Sequence, residues 1–299
     1  MASRVDGQAD HLVWKRTEVD GRAALYGEAG EGLPVLFLHG WGLGQHSYKR
    51  ALKRLVQLGC RVFAPALPGF GGTADLPKAD FSLAGYAAWV DHFLEAVEVD
   101  EPVFLMGHSF GGGVAIQLAH DHAKRVRTLV LVNSVGGSTW RAGESTVRSM
   151  AQRPLWDWGI HFPRDILPIQ QLTRVLPVVL EDALPNLLRN PWNLWRVGNL
   201  ARQADLTGEL EELKRRRVPV VVLWGEDDRI IPKASFDALC LAIGAEGEVV
   251  AGNHSWLLAD PDAFGEVITN VLEVAKLARS MEAEKPIKRL IHKVKTLRG

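Results

Sequence analysis

The sequence predicts an α/β protein: a doubly wound, mostly parallel sheet with a helical insertion over one edge. Three observations carry this. Short Val/Leu/Ile-rich runs alternate with helix-length segments along the chain. Those runs are too continuously apolar for half-exposed strands, which suits strands covered by helices on both faces. One connection of about 80 residues interrupts the rhythm, and a segment of that length inside a compact domain must carry structure of its own.

The elements follow in order. Leu12–Glu28 reads as two strands around Asp20-Gly21, a pair that favours a tight hairpin turn. The continuous apolar runs are Pro34–Leu38, Arg61–Ala64, Val103–Met106, Val126–Val132 and Val218–Trp224. Helical patterns fall between and after them: Ser47–Leu58, Leu83–Val97, Gly111–His122, Lys233–Ile243 and Ala263–Ala278. Glu248–Ala251 reads as one more strand. The long connection, from about Ser134 to Val218, is rich in Leu, Pro and Arg and holds five of the ten tryptophans: Trp140, Trp156, Trp158, Trp192 and Trp195. It is expected to form a helical cap (lid) over the carboxyl edge of the sheet, where sites of open α/β sheets lie. The expected division is a core of residues 1–134 and 218–278, a cap of 135–217, and a separate C-terminal helix of 279–299.

Composition bounds the function. Apolar residues make up 47% of 299 residues, enough for a full core without disulfides or metal staples. Cys60 and Cys240 are spaced for neither a metal site nor a redox pair and are expected as reduced thiols. Lys plus Arg and Asp plus Glu number 35 each, so no global field favours nucleic acid. The polar start lacks the pattern of a secretory signal, and no apolar run is long enough to span a membrane. A cytoplasmic location is expected. No metal-ligand cluster or phosphate-cradling Gly-rich loop is seen, so no cofactor is expected.

The sharpest chemical signal is Gly107-His108-Ser109-Phe110-Gly111, placed after an apolar strand and before a helical segment. That is the context of a nucleophile elbow: a tight strand-to-helix turn that lifts a serine hydroxyl clear of the sheet. A serine needs a base, and the base an orienting acid. A late strand is followed by Gly225-Glu226-Asp227-Asp228-Arg229-Ile230-Ile231-Pro232, where three carboxylates compete for the acid. Gly252-Asn253-His254 follows the next strand and offers the base. The other nine histidines sit in helical segments, in the tail, in motifs with other jobs, or where packing or surface roles suit them.

With these motifs the chain resembles the α/β-hydrolase-fold serine hydrolases, esterase- and lipase-like members with a helical cap. In that family a Gly, two variable residues, an Asp and, four residues on, a Pro mark the acid. The resemblance therefore implies Asp228, with Asp227 as its main rival and Glu226 behind it. The family's His-Gly pattern matches His39-Gly40-Trp41, which implies that the backbone N–H groups of Trp41 and Phe110 form the oxyanion hole. The Trp41 and Phe110 side chains are expected to line the substrate cleft. Leu67-Pro68-Gly69-Phe70-Gly71 resembles a family turn, but Ala66 stands where the family usually has Asp. Relatives that cleave carbon–halogen bonds or open epoxides use Asp as nucleophile, so Ser109 disfavours those chemistries.

The expected activity is hydrolysis of an ester of a relatively apolar substrate through Ser109, His254 and Asp228. The alternatives are a carbon–carbon bond hydrolase or acyltransferase with the same three residues, or a ligand-binding receptor on the same fold. The tail is unusual: residues 276–299 hold eight Lys or Arg against two Glu. From Pro286 onward, Ile287, Leu290, Ile291, Val294 and Leu297 would share one stripe of a helix. Such a basic amphipathic helix could lie on an anionic membrane surface, or pack its stripe on protein.

Overall fold

The computed structural model describes residues 11–137 and 169–273. The expected C-terminal helix 279–299, and Trp140, Trp156 and Trp158 of the expected cap, lie outside the described residues.

Eight strands form one sheet in the order β1-β2-β4-β3-β5-β6-β7-β8. β1 (Val13–Val19) and β2 (Arg22–Ala29) make the expected hairpin. Its turn residues Asp20 and Gly21 both take positive φ, 53° and 70°, the twist that a two-residue hairpin turn requires. β2 pairs antiparallel with β4 (Cys60–Pro65). From there β4, β3 (Leu33–Leu38), β5 (Val103–His108), β6 (Val126–Val132), β7 (Val220–Gly225) and β8 (Glu248–Val250) run parallel.

The central strands are buried on both faces, and their period of two divides the core. Leu36 and Leu38 of β3, Leu105 of β5, and Leu129 and Leu131 of β6 join one cluster. Val35, Phe37, Phe104, Met106, Val130 and Val132 join the other. The first is covered by α2 (Leu83–Ala96), α3 (Phe110–Asp121), α6 (Thr207–Arg215) and α7 (Lys233–Ile243). The second is covered by α1 (Lys49–Gln57), α8 (Trp256–Ala259) and a helix over residues 261–273. This two-sided cover is why the strands read as unbroken apolar runs.

Between β6 and β7 the described chain forms α4 (Ile169–Arg189), α5 (Pro191–Arg202) and α6. Asn190 caps α5, its side chain accepting the Asn193 N–H at 3.0 Å, and Pro191 occupies the first turn, where its missing N–H costs nothing. α4 settles on the loop after β3 through Asp182, which accepts bonds from the Ser47 N–H (2.8 Å), the Ser47 hydroxyl (2.6 Å) and the Gly44 N–H (3.2 Å). Asn186 joins this same loop to a second one, donating to the Gly42 carbonyl and accepting from Gly71 N–H.

At the departure from the family pattern, Ala66 is fully buried and its N–H donates to the Leu25 carbonyl at 2.8 Å. The turn that follows is held from two sides: His39 Nε2 accepts the Leu67 N–H, and the Tyr86 hydroxyl donates to the Pro68 carbonyl. Cys60 and Cys240 are not joined in a disulfide. No helix among the described residues is long and apolar enough to cross a membrane.

Candidate active site

Ser109 sits between β5 and α3 with φ 53° and ψ −118°, a left-handed conformation that costs a non-glycine residue roughly 1–3 kcal/mol. The surroundings hold it there: Ser109 N–H donates to the Val132 carbonyl, and its own carbonyl accepts from Gly112 N–H and Val135 N–H. The flanking glycines are required by space. A Cβ on Gly107 would lie 2.4 Å from the Gly111 carbonyl oxygen, and one on Gly111 would lie 2.3 Å from that of Leu38. β5 and β3 pass too close to the first turn of α3 for any side chain.

Asp228 and His254 meet at the carboxyl end of the sheet, on the loops after β7 and β8. His254 Nδ1 lies 2.8 Å from Asp228 Oδ2, and both residues are buried. Asp228 Oδ1 accepts the N–H groups of Ile230 (2.8 Å) and Ile231 (2.9 Å), so the loop backbone orients the carboxylate. The rival carboxylates, Glu226 and Asp227, are exposed. Among the other histidines, His92 pairs with Asp20, His120 with Asp121 and His122 with Asp91, all away from Ser109.

Ser109, His254, Gly40 and Trp41 line one cavity of about 310 Å³, walled by Leu43, Leu180, Leu184, Leu187, Leu194 and Ile230. The loop bearing Trp41 presses on the elbow, since a Cβ on Gly40 would stand 3.2 Å from Ser109 Cβ. Trp41 Nε1–H donates to the Leu194 carbonyl of α5 at 2.7 Å, which ties this loop to the overlying helices. Trp41 lines the cleft as expected. The Phe110 side chain does not: it is fully buried and lies edge-on to Tyr86, with ring centroids 5.2 Å apart. At the first turn of α3 its side chain packs into the core. Trp192 and Trp195 are exposed and stacked on each other, so α4 and α5 meet the cavity with leucines.

Two histidines at the site are held neutral. Burial pushes His39 down to about 4 and His108 well below the usual histidine value. Among the described residues no group of three His, Cys, Asp or Glu is arranged to hold a metal ion.

Sequence reasoning missed Asn133, Tyr48 and Asp182. Asn133 is fully buried, donates to Asp228 and accepts Trp256 Nε1–H at 2.8 Å. Its signal was its place directly after β6, at the carboxyl edge where sites of such sheets lie. Tyr48 and Asp182 had no such signal, because their partners are distant in the chain.

The sequence pattern of the alpha/beta hydrolase family matches residues 35–267. A 2-hydroxymuconate semialdehyde hydrolase of Pseudomonas sp. (strain CF600) is 37% identical over 219 residues, covering 69% of this chain and 74% of that protein. Many solved structures share the fold, among them the following two. A membrane phospholipase A, described as a bacterial virulence factor, superposes with a TM-score of 0.72 at 20% identity, covering 90% of this chain and 88% of the other. A thermophilic esterase from Thermogutta terrifontis superposes with a TM-score of 0.67 at 21% identity, covering 89% and 99%.

Proposed function

The chain belongs to the alpha/beta hydrolase family, and within it we propose a serine hydrolase that cleaves an ester of a relatively apolar substrate. One observation carries this reading: a strained serine and a buried His–Asp pair open into a single cavity whose described wall is leucine-rich and bears no Lys or Arg.

The proposed chemistry uses the chain's own groups. His254 takes the Ser109 hydroxyl proton as Oγ attacks the ester carbonyl. The tetrahedral oxyanion is received by the N–H groups of Phe110 and Trp41, a contribution of about 3–4 kcal/mol in comparable sites. Collapse breaks the carbon–oxygen bond, and the imidazolium protonates the departing alcohol. Water, deprotonated by His254, then attacks the acyl-enzyme, releasing the acid and restoring Ser109. Asp228 holds the imidazole with its proton on Nδ1 and stabilises its charged form.

A carbon–carbon bond hydrolase is the second reading, favoured by the 37% identity to a protein named a semialdehyde hydrolase. A muconate-type substrate carries a carboxylate, which the described wall of this cavity meets with no cation. That favours the ester.

The test is turnover of p-nitrophenyl esters with acyl chains from about two to about twelve carbons, by the wild type and by Ser109→Ala. We expect wild-type turnover and a loss of at least about 10³-fold in the variant. Equal turnover by Ser109→Ala would sink the reading. No turnover of any ester would move the assignment to the carbon–carbon reading.

A further inference from the structure

Tyr48 and His108 form a directed hydrogen-bond chain through the floor of the cavity. His108 Nε2 lies 2.9 Å from the main-chain carbonyl oxygen of His254. A carbonyl only accepts, so Nε2 carries the proton. In the neutral ring Nδ1 is then bare, and it accepts from the Tyr48 hydroxyl at 2.8 Å. The Tyr48 oxygen in turn accepts the N–H of Gly40 at 3.1 Å. Tyr48 is fully buried and His108 nearly so. A second proton on His108 would leave the Tyr48 hydroxyl facing a donor, and burial beside His254 and His39 opposes that proton as well.

The chain joins three loops. Gly40 immediately precedes Trp41, His108 immediately precedes Ser109, and the terminal acceptor belongs to His254 itself. Resting on the serine hydrolase reading above, we propose that Tyr48 and His108 are positioning residues. They hold the His254 main chain and the Gly40–Trp41 loop in register with the Ser109 elbow. His254 is gripped twice, at its ring by Asp228 and at its carbonyl by His108. The neutral imidazole suits this task because it is a rigid spacer with one donor and one acceptor on opposite sides. Displacement of a base by about 1 Å can cost on the order of 100-fold in rate.

The experiment compares Tyr48→Phe, His108→Leu and His108→Gln with the wild type on the best p-nitrophenyl ester, alongside ¹⁵N NMR of histidine-labelled protein. Glutamine keeps an N–H donor near the Nε2 position, and leucine has none. Expected is a kcat loss on the order of 10–100-fold for Tyr48→Phe and His108→Leu, with KM within about twofold, and recovery of most of that loss in His108→Gln. The wild-type His108 signals should show a neutral Nε2–H ring that does not titrate between about pH 5.5 and 8. Wild-type kcat in His108→Leu, equal impairment of His108→Gln and His108→Leu, or titration of His108 near its ordinary value would each overturn the proposal. The NMR result decides if a variant fails to fold, and it does not depend on turnover. Undiminished activity of Ser109→Ala would instead overturn the underlying reading.

Discussion

Asn133 donates from Nδ2 to the same oxygen of Asp228 that faces Nδ1 of His254. Asn133 is itself pinned: its Oδ1 accepts Trp256 Nε1–H, and its N–H donates to the Leu223 carbonyl. Asp228 is thus held from the loop after β6 as well as from its own loop after β7.

Replacing Asn133 with Ala should leave Asp228 short of a donor and Trp256 Nε1–H without this acceptor. The expected cost is about 1–3 kcal/mol of stability for the buried unpaired groups. Ester turnover should fall on the order of tenfold as the base loses its fixed partner. Denaturant unfolding and kcat measured together check this. Wild-type values for both would show that Asn133 does nothing for Asp228.

Asp182 should anchor the overlying helix. Asp182→Ala strips three donors on Gly44 and Ser47 of their acceptor. Thermal unfolding should begin several degrees lower, consistent with about 1–3 kcal/mol lost. Because α4 also carries Leu180, Leu184 and Leu187 of the cavity wall, KM for long-chain esters should rise more than KM for short ones. Equal KM changes across the series would separate the anchor from the pocket.

Leu184 is about half exposed although it lines the cavity, so its outer side is open. Leu184→Trp should fit with a stability change within about 0.5 kcal/mol. It should narrow the cleft and shift the preferred acyl length downward on the p-nitrophenyl series. An unchanged length profile would place the acyl chain elsewhere.

Stability should fall with acid because of the buried neutral histidines. His39 is held at about 4 and His108 lower than usual, whereas both return to about 6.5 when unfolded. Below about pH 6.5 the unfolded chain binds protons that the folded chain refuses. The unfolding free energy therefore drops by up to about 1.4 kcal/mol per pH unit for each histidine, and the His39 contribution levels off below about pH 4. Above about pH 6.5 the contribution is fully present. Urea midpoints at about pH 7.5, 6 and 5 check the slope, and a flat profile would contradict it.

The fold was legible because its signals are local. Val126–Val132 and Lys233–Ile243 have the bounds read from apolar runs and helical periodicity. The elbow was legible for the same reason: Gly107 and Gly111 flank Ser109 within five residues, and the close packing of the first turn of α3 on β5 and β3 demands them. Choosing Asp228 over its neighbours required more than the turn itself, since Glu226, Asp227 and Asp228 carry the same chemistry side by side. Burial under Asn133 and His254 is what sets Asp228 apart.

What the sequence by itself determined is the order of strands and helices, the strained turn at Ser109 and the loops that end in Asp228 and His254. Periodicity, glycine and proline act between near neighbours, so one chain suffices to read them. Only the tertiary structure decided that Phe110 turns into the core, that Asp182 locks α4 onto Ser47, and that Tyr48 reaches His108. These pairings span up to 135 residues of chain. They follow from which strand edges pack together, and a hydrogen-bond partner that far away leaves no periodic trace in the residues around it.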